Sequence, residues 1–395
     1  MTTQAIDETV VARAREIGPL IREHAAEAER ERRPPRAVVE ALVRQKLTRM
    51  FLPPSLGGLG TDPITCLRTV EEVARFDSVA GWMLMVANSS TWFCARLPAE
   101  TVAEIHRDPD DCIMACAFHP PVEARPVSGG YRLTGRRPFA SGAHAARWVC
   151  LTGMVMEGEA PRMIHGRPEI IVAVVPRESV EIVDTWYGLG LRGSDSNDVS
   201  VRDAFVPGDW TCPLAPAFQP NAHYSGPLYR MPMLGAIVLA HIPPVATAVA
   251  QNAIDAVRAM ADQRRPMASA VPLRERGAVQ EKLGRAEGML RSARAFMYDA
   301  MAEAWRRTVA GETLTLADRA NLLLAATHTV QSSAQVTDMM FTAGGSSAVF
   351  AGHALERLFR DAQVIRQHGF VCAARYETVA QVSLGLEPDL PLVHF

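Results

Sequence analysis

The chain has 395 residues, 48% of them hydrophobic and 21% charged, with a formal net charge of -2 at pH 7. That balance is ordinary for a globular enzyme and excludes a disordered chain. It also supplies no basic field for nucleic acid or for an anionic membrane.

The opening stretch, MTTQAIDETVVARAREIGPL, lacks the charged-then-apolar layout of a signal peptide. The longest apolar run, Leu234 to Ala240, stops at His241 and the Pro243-Pro244 pair, short of the ~20 residues that span a bilayer. Seven cysteines scattered along the chain give no disulfide framework. Cys112 and Cys116 form the one close pair, and without ligand-spaced partners they read as small core residues, so no metal site is expected. Together these features predict a cytoplasmic protein.

Residues 1–111 read as an N-terminal helical domain. Val10 to Ala26 and Arg36 to Leu47 carry apolar residues at helical spacing, and Pro34-Pro35 marks the second start. Pro53 to Gly60 is a loop, being dense in Pro and Gly. Pro63 to Phe76 and Val79 to Leu97 are again helical, the second nearly all apolar and hence central. Residues 112–229 read as a β domain: short β-rich runs start at Ile113, Tyr131, Trp148, Ile170, Val180 and Asn197, with no helices between them. That pattern predicts an antiparallel barrel or sandwich. Residues 230–395 return to helical spacing in four segments, roughly 233–262, 274–309, 315–343 and 354–384, which predict an antiparallel four-helix bundle. The fold class expected is α+β, mainly α.

Three segments carry a family resemblance. They are Pro53 to Gly60; Trp186 to Val199 followed by Phe205-Val206-Pro207; and Phe341-Thr342-Ala343-Gly344-Gly345-Ser346 followed by Leu355 to Ala362. In that order and context they resemble the acyl-CoA dehydrogenase superfamily. Dehydrogenases of this family often place a catalytic glutamate nine residues after the arginine that matches Arg360. Here that position is Gly369, with His368 beside it. A histidine there is similar to the flavin-dependent monooxygenase branch, as is Pro138 to Trp148, which matches "F.SG..HA.W".

That resemblance implies a two-component monooxygenase. Reduced flavin (FMN or FAD) would come from a separate flavin reductase, O2 would be co-substrate, and an aromatic or polyketide-like small molecule would be hydroxylated. It also implies a homotetramer. His368 and Ser141 would be catalytic. A histidine suits proton transfer near neutral pH, and a serine hydroxyl suits a hydrogen bond to flavin N5. Ser141, Gly142, His144, Trp148, Trp186, Arg264, Gly344, Gly345 and Ser346 are the flavin-binding candidates, the glycines for close backbone approach to phosphate and Arg264 for its charge. Trp82, Trp92 and His119 are the substrate-lining candidates.

Plainer readings stand beside these. His144 and Ser141 also suit a turn, Trp186 suits a core, and Arg360 and Asp361 read as a structural ion pair. Asp361 and His368, seven apart, are expected to share one helix face. Two other functions stay open, a flavin dehydrogenase of acyl thioesters and a non-catalytic scaffold of the same fold.

Overall fold

The computed structural model describes residues 6–110, 113–216, 218–262, 264–265 and 271–395; Cys112, expected in the core, lies outside them. The N-terminal block holds α1 (Glu8–Glu23), α2 (Ala25–Glu31), α3 (Arg36–Arg44), α4 (Pro63–Phe76), α5 (Ser78–Cys94) and α6 (Ala99–Ile105). Short aspartates start three of these helices by accepting otherwise unpaired N–H groups. Asp7 takes Thr9, Asp62 takes Ile64 and Thr65, and Asp77 takes Val79 and Ala80. Every residue of α5 is buried, which makes it the central helix that its apolar sequence predicts.

The β block holds β1 (Met114–Val127), β2 (Gly130–Ala140), β3 (Trp148–Glu157), β4 (Ile170–Pro176), β5 (Glu181–Val183), β6 (Asn197–Pro207) and β7 (Thr211–Pro213), in the sheet order β7-β4-β3-β1-β2-β6-β5. The expected sheet was antiparallel throughout. The observed sheet is mixed, because β1 and β3 run parallel with Cys116 opposite Cys150. The reason is geometric. β2 folds back antiparallel on β1, and β3 follows β2 but docks on the far edge of β1. A strand that reverses twice and returns to its first neighbour must run parallel to it. The connection that crosses from β2 to β3 is Ser141–Arg147. Along β3 the side chains alternate: Val149 and Leu151 enter the sheet's own core, while Trp148 and Cys150 join the core shared with the helices.

The C-terminal block begins with one π-helical turn, Leu234–Leu239, before α7 (Ile242–Ala261), α8 (Gly277–Val309), α9 (Leu316–Gly344), α10 (Ala354–Ile365) and α11 (Arg375–Ser383). Leu234–Ala261 is long and apolar enough to cross a membrane, contrary to the shorter run read from sequence. Its most apolar window is 94% buried in the protein, which is how a core helix behaves. The fourth expected bundle segment, 354–384, is two helices rather than one. α10 ends at Ile365, and the chain turns through 366–374 before α11. The buried Gln331 of α9 makes the break tenable, since its amide donates to the carbonyls of Arg366 (3.0 Å) and Val371 (2.9 Å) that the helix no longer satisfies. His368 therefore sits in a turn and does not share a helix face with Asp361.

Gly190 marks the closest approach of the β block to α10: a Cβ there would lie 2.3 Å from the carbonyl of Arg360. Gly190→Ala is expected to lower unfolding free energy by about 1–3 kcal/mol through overpacking. Gly284→Ala, on an open face of α8, is expected to raise it by about 0.5–1 kcal/mol. Urea denaturation of the two variants beside the parent checks both signs.

Candidate active site

The crossing loop after β2 carries Ser141, Gly142 and His144. Phe139 leads into it at φ +65°, a conformation that bulky residues avoid, and its ring is 64% exposed. Gly142 is required for two reasons. Its φ is +73°, and a Cβ would lie 2.5 Å from Cε of Met83 on α5. The loop is thus pressed onto the central helix, which brings Ser141 to Trp82: the indole N–H donates to Ser141 Oγ at 3.2 Å.

A second loop, between β5 and β6, closes on the first. Gly142 N–H donates to the carbonyl of Ser194 (2.9 Å), and Ser141 Oγ lies 2.7 Å from Ser196 Oγ, itself 2.7 Å from Ser194 Oγ. The buried carboxylate of Asp195 takes both the backbone N–H and Nδ1 of His144 at 2.7 Å, together with the Asn197 amide at 2.8 Å. Asn197 in turn accepts the N–H groups of Thr185 and Trp186. Trp186 is half-buried, donates its indole N–H to the carbonyl of Leu191, and sets its ring edge-on to Phe139.

The third wall is the turn after α10. His368 meets Trp82 edge-on at 5.7 Å between ring centres and Phe370 at 5.3 Å. Its Nδ1 faces the Phe370 N–H at 3.4 Å, which assigns the proton of the neutral ring to Nε2. Desolvation pushes the imidazole down to about 4, so the ring is uncharged at neutral pH.

Asp361 ties α5, the second loop and α10 together. This fully buried carboxylate accepts from Ser78 Oγ on α5 and from Leu191 N–H in the second loop, both at 2.6 Å. Burial raises it to about 6 despite Arg357 3.8 Å away. Arg360 bonds Glu356, Glu29 and the Leu189 carbonyl. Arg360 and Asp361, expected to form an ion pair, each have other partners and do not pair with one another.

The remaining candidates divide. Arg264 donates to Ser347, which donates to the Gly344 carbonyl, so Arg264 and the Gly344–Ser347 turn form a second cluster. Gly344 is needed for packing on Leu355, while Gly345, at φ +64°, and Ser346 are exposed. This cluster lies at the start of α10, where Gly344 packs on Leu355, while His368 follows its end. Trp148 is not at the Ser141 site; it is core, tilted on Trp210, with its N–H on the Ile105 carbonyl. Trp92 packs among Phe93, Phe218 and Arg96, and His119 is exposed on β1. Ser78, Met83, Phe139, Ser194, Ser196, Gln331 and Phe370 shape the site and are not among the sequence candidates. Phe139 has a signal there as the Phe of "F.SG..HA.W", and Ser194 and Ser196 lie in the matched Trp186 to Val199 segment. Among the described residues no cluster suits a metal ion.

The acyl-CoA dehydrogenase N-terminal domain model matches residues 3–97, and the C-terminal domain model matches 240–372. An indole-3-acetate monooxygenase of Pseudomonas putida is 32% identical over 92% of this chain and 90% of its own length. The chain belongs to the flavin-dependent monooxygenases of the acyl-CoA dehydrogenase superfamily. The oxygenase subunit HsaA of a flavin-dependent monooxygenase from Rhodococcus jostii is 27% identical, over 89% of this chain and 91% of its own. Among solved structures, XiaF from Streptomyces sp. in complex with FADH2 and glycerol superposes with a TM-score of 0.89 at 23% identity, covering 97% of each chain. This enzyme is therefore an oxidoreductase whose fold is shared by flavin-bound relatives.

The His368 shift fixes a pH dependence. A free imidazole titrates near 6.5 and this one at about 4, so the unfolded chain takes up the proton first. The His368 contribution to stability is full above about pH 6.5 and is lost as pH falls towards 4. Imidazole resonances followed by NMR should show no protonation of His368 above about pH 5; titration near 6.5 would place the ring in water.

Proposed function

We propose that the chain is the oxygenase component of a two-component system, which takes reduced FMN or FAD from a separate reductase and uses O2 to hydroxylate a flat aromatic small molecule of indole type. The observation that carries this reading is the Trp82 side chain, whose N–H holds Ser141 while its ring meets His368. The two groups expected to be catalytic thus both contact one indole.

The residues fit a flavin. Ser141 offers a buried hydroxyl, Gly142 presents no side chain, and Phe139 and Trp186 present ring surfaces for a planar heteroaromatic. When bound, the reduced flavin supplies the electrons that activate O2. The chain's own residues bind it, exclude water and handle protons. His368, uncharged at neutral pH with its proton on Nε2, presents that N–H to the substrate. Trp82, His368 and Phe370 offer ring edges to an aromatic substrate, which agrees with the indole-3-acetate for which the Pseudomonas relative is named. Arg264 and the Gly345–Ser346 turn are assigned to flavin phosphate, within a homotetramer in which one copy serves another. Exposed Phe139, Tyr187, Leu189, Val349 and Phe350 leave apolar surface for such packing.

The dehydrogenase alternative lacks its base. A Cβ at Gly369 would meet nothing within 4 Å, so packing does not forbid a carboxylate there; Glu377 is exposed on α11. Incubation with reduced flavin, indole-3-acetate and 18O2 should give a product carrying one labelled oxygen. Bleaching of bound oxidised flavin by an acyl-CoA under anaerobic conditions would overturn the reading. His368→Ala should retain flavin and lower product per flavin oxidised by roughly 10²-fold or more; unchanged hydroxylation removes His368 from proton transfer.

A further inference from the structure

The carboxamide of Gln331, buried within α9, can donate two hydrogen bonds and accept two. All four go to the turn that carries His368. Nε2 donates to the carbonyls of Arg366 (3.0 Å) and Val371 (2.9 Å), which bracket His368. Oε1 accepts from Nε (3.2 Å) and a terminal nitrogen (2.9 Å) of the Arg366 guanidinium. These partners settle which way the amide points, because a guanidinium only donates and a carbonyl only accepts. Inside the turn, the His368 carbonyl takes the N–H groups of Val371 and Cys372, both at 2.9 Å. The backbone of His368 is thus held from both sides. That leaves Nδ1 facing the Phe370 N–H, which can only donate, and sets the ring edge-on to Trp82. Local packing gives the turn little support of its own. Gly369, next to His368, is exposed, and a Cβ there would meet nothing within 4 Å.

We propose that Gln331 is a positioning residue for His368: by anchoring both sides of the turn it fixes the direction of the imidazole and keeps its proton on Nε2, the nitrogen presented to the substrate. This rests on the assignment of His368 to the substrate site. The amide is needed for its chemistry and not only for its size. An apolar side chain of similar length would leave the carbonyls of Arg366 and Val371 without these donors, and unpaired buried carbonyls are costly. The turn would relieve that cost by moving towards water, which takes the Phe370 N–H away from Nδ1. With no donor at Nδ1, nothing selects one tautomer of the neutral ring. A displacement of about 1 Å at a reacting group is enough to cost roughly 10²-fold in rate.

Two variants test this. Gln331→Glu keeps the size and the bond to Arg366 but has no N–H for the two carbonyls, and Gln331→Met removes all four bonds. Either carries the test if the other fails to fold. Imidazole 15N resonances of the parent should show His368 as one tautomer with bare Nδ1. In the variants both tautomers should appear, with titration moving up from about 4 towards the free value near 6.5. Product per flavin oxidised, measured with reduced FMN or FAD and indole-3-acetate, should fall roughly ten- to a hundredfold while flavin affinity is retained. In a His368→Ala background the same substitutions should cause no further loss, whereas independent effects would multiply. Structural damage alone would weaken flavin binding and would persist in that background. Unchanged His368 resonances, or a full further loss without His368, overturn the proposal. If the tautomer shifts but His368→Ala hydroxylates as well as the parent, the positioning stands and the assignment of His368 to the reaction falls.

Discussion

A single buried carboxylate, Asp361, holds the central helix, the second loop and α10 in register. From α10 it takes the hydroxyl of Ser78, one turn before Trp82 on α5, and the N–H of Leu191, just ahead of Ser194 and Ser196. A buried carboxylate is costly unless it is paired and hydrogen-bonded. Arg357 offsets that cost, and it does so for two groups at once: it faces Asp361 and donates to Asp77, the cap of α5. The start of the central helix, the second loop and the last helix before His368 are therefore fixed by one electrostatic knot. Gly190 and Gly142 are the sterically necessary complement, because each lets a loop approach a helix more closely than a side chain allows.

Around that knot the site is built from irregular segments on rigid supports. The crossing loop is held by α5 and by the strands it joins, and the His368 turn is held by Gln331 of α9. Loops so supported can carry chemistry without losing geometry. A side chain would have room at residue 369, where this chain has glycine, and the neighbouring His368 packs against Trp82 and Phe370.

Hydrogen-bond direction gives the polar part of the site its meaning. Asp195 and Asn197 use their acceptors on backbone and ring N–H groups of His144, Thr185 and Trp186, which orients the aromatic wall.

Much of this was legible in the order of residues. Helical spacing, β-rich runs and the Pro and Gly punctuation depend on near neighbours in the chain, so the three blocks, the central α5 and most strand positions could be read directly. The motifs placed Ser141, Gly142, His368 and the Gly344–Gly345 turn for the same reason. What depended on distant partners could not be read. The parallel β1–β3 pair follows from which edge β3 docks on, and the break before α11 follows from Gln331, 37 residues before His368. Trp148 and Trp92 look like Trp82 in composition, and only packing separates two core tryptophans from the one that joins Ser141 to His368. Near-neighbour patterns along the chain set which elements form and which reactive side chains are present. Packing set which of them meet, because burial, loop crossing and hydrogen-bond partnership are properties of residues far apart in the chain.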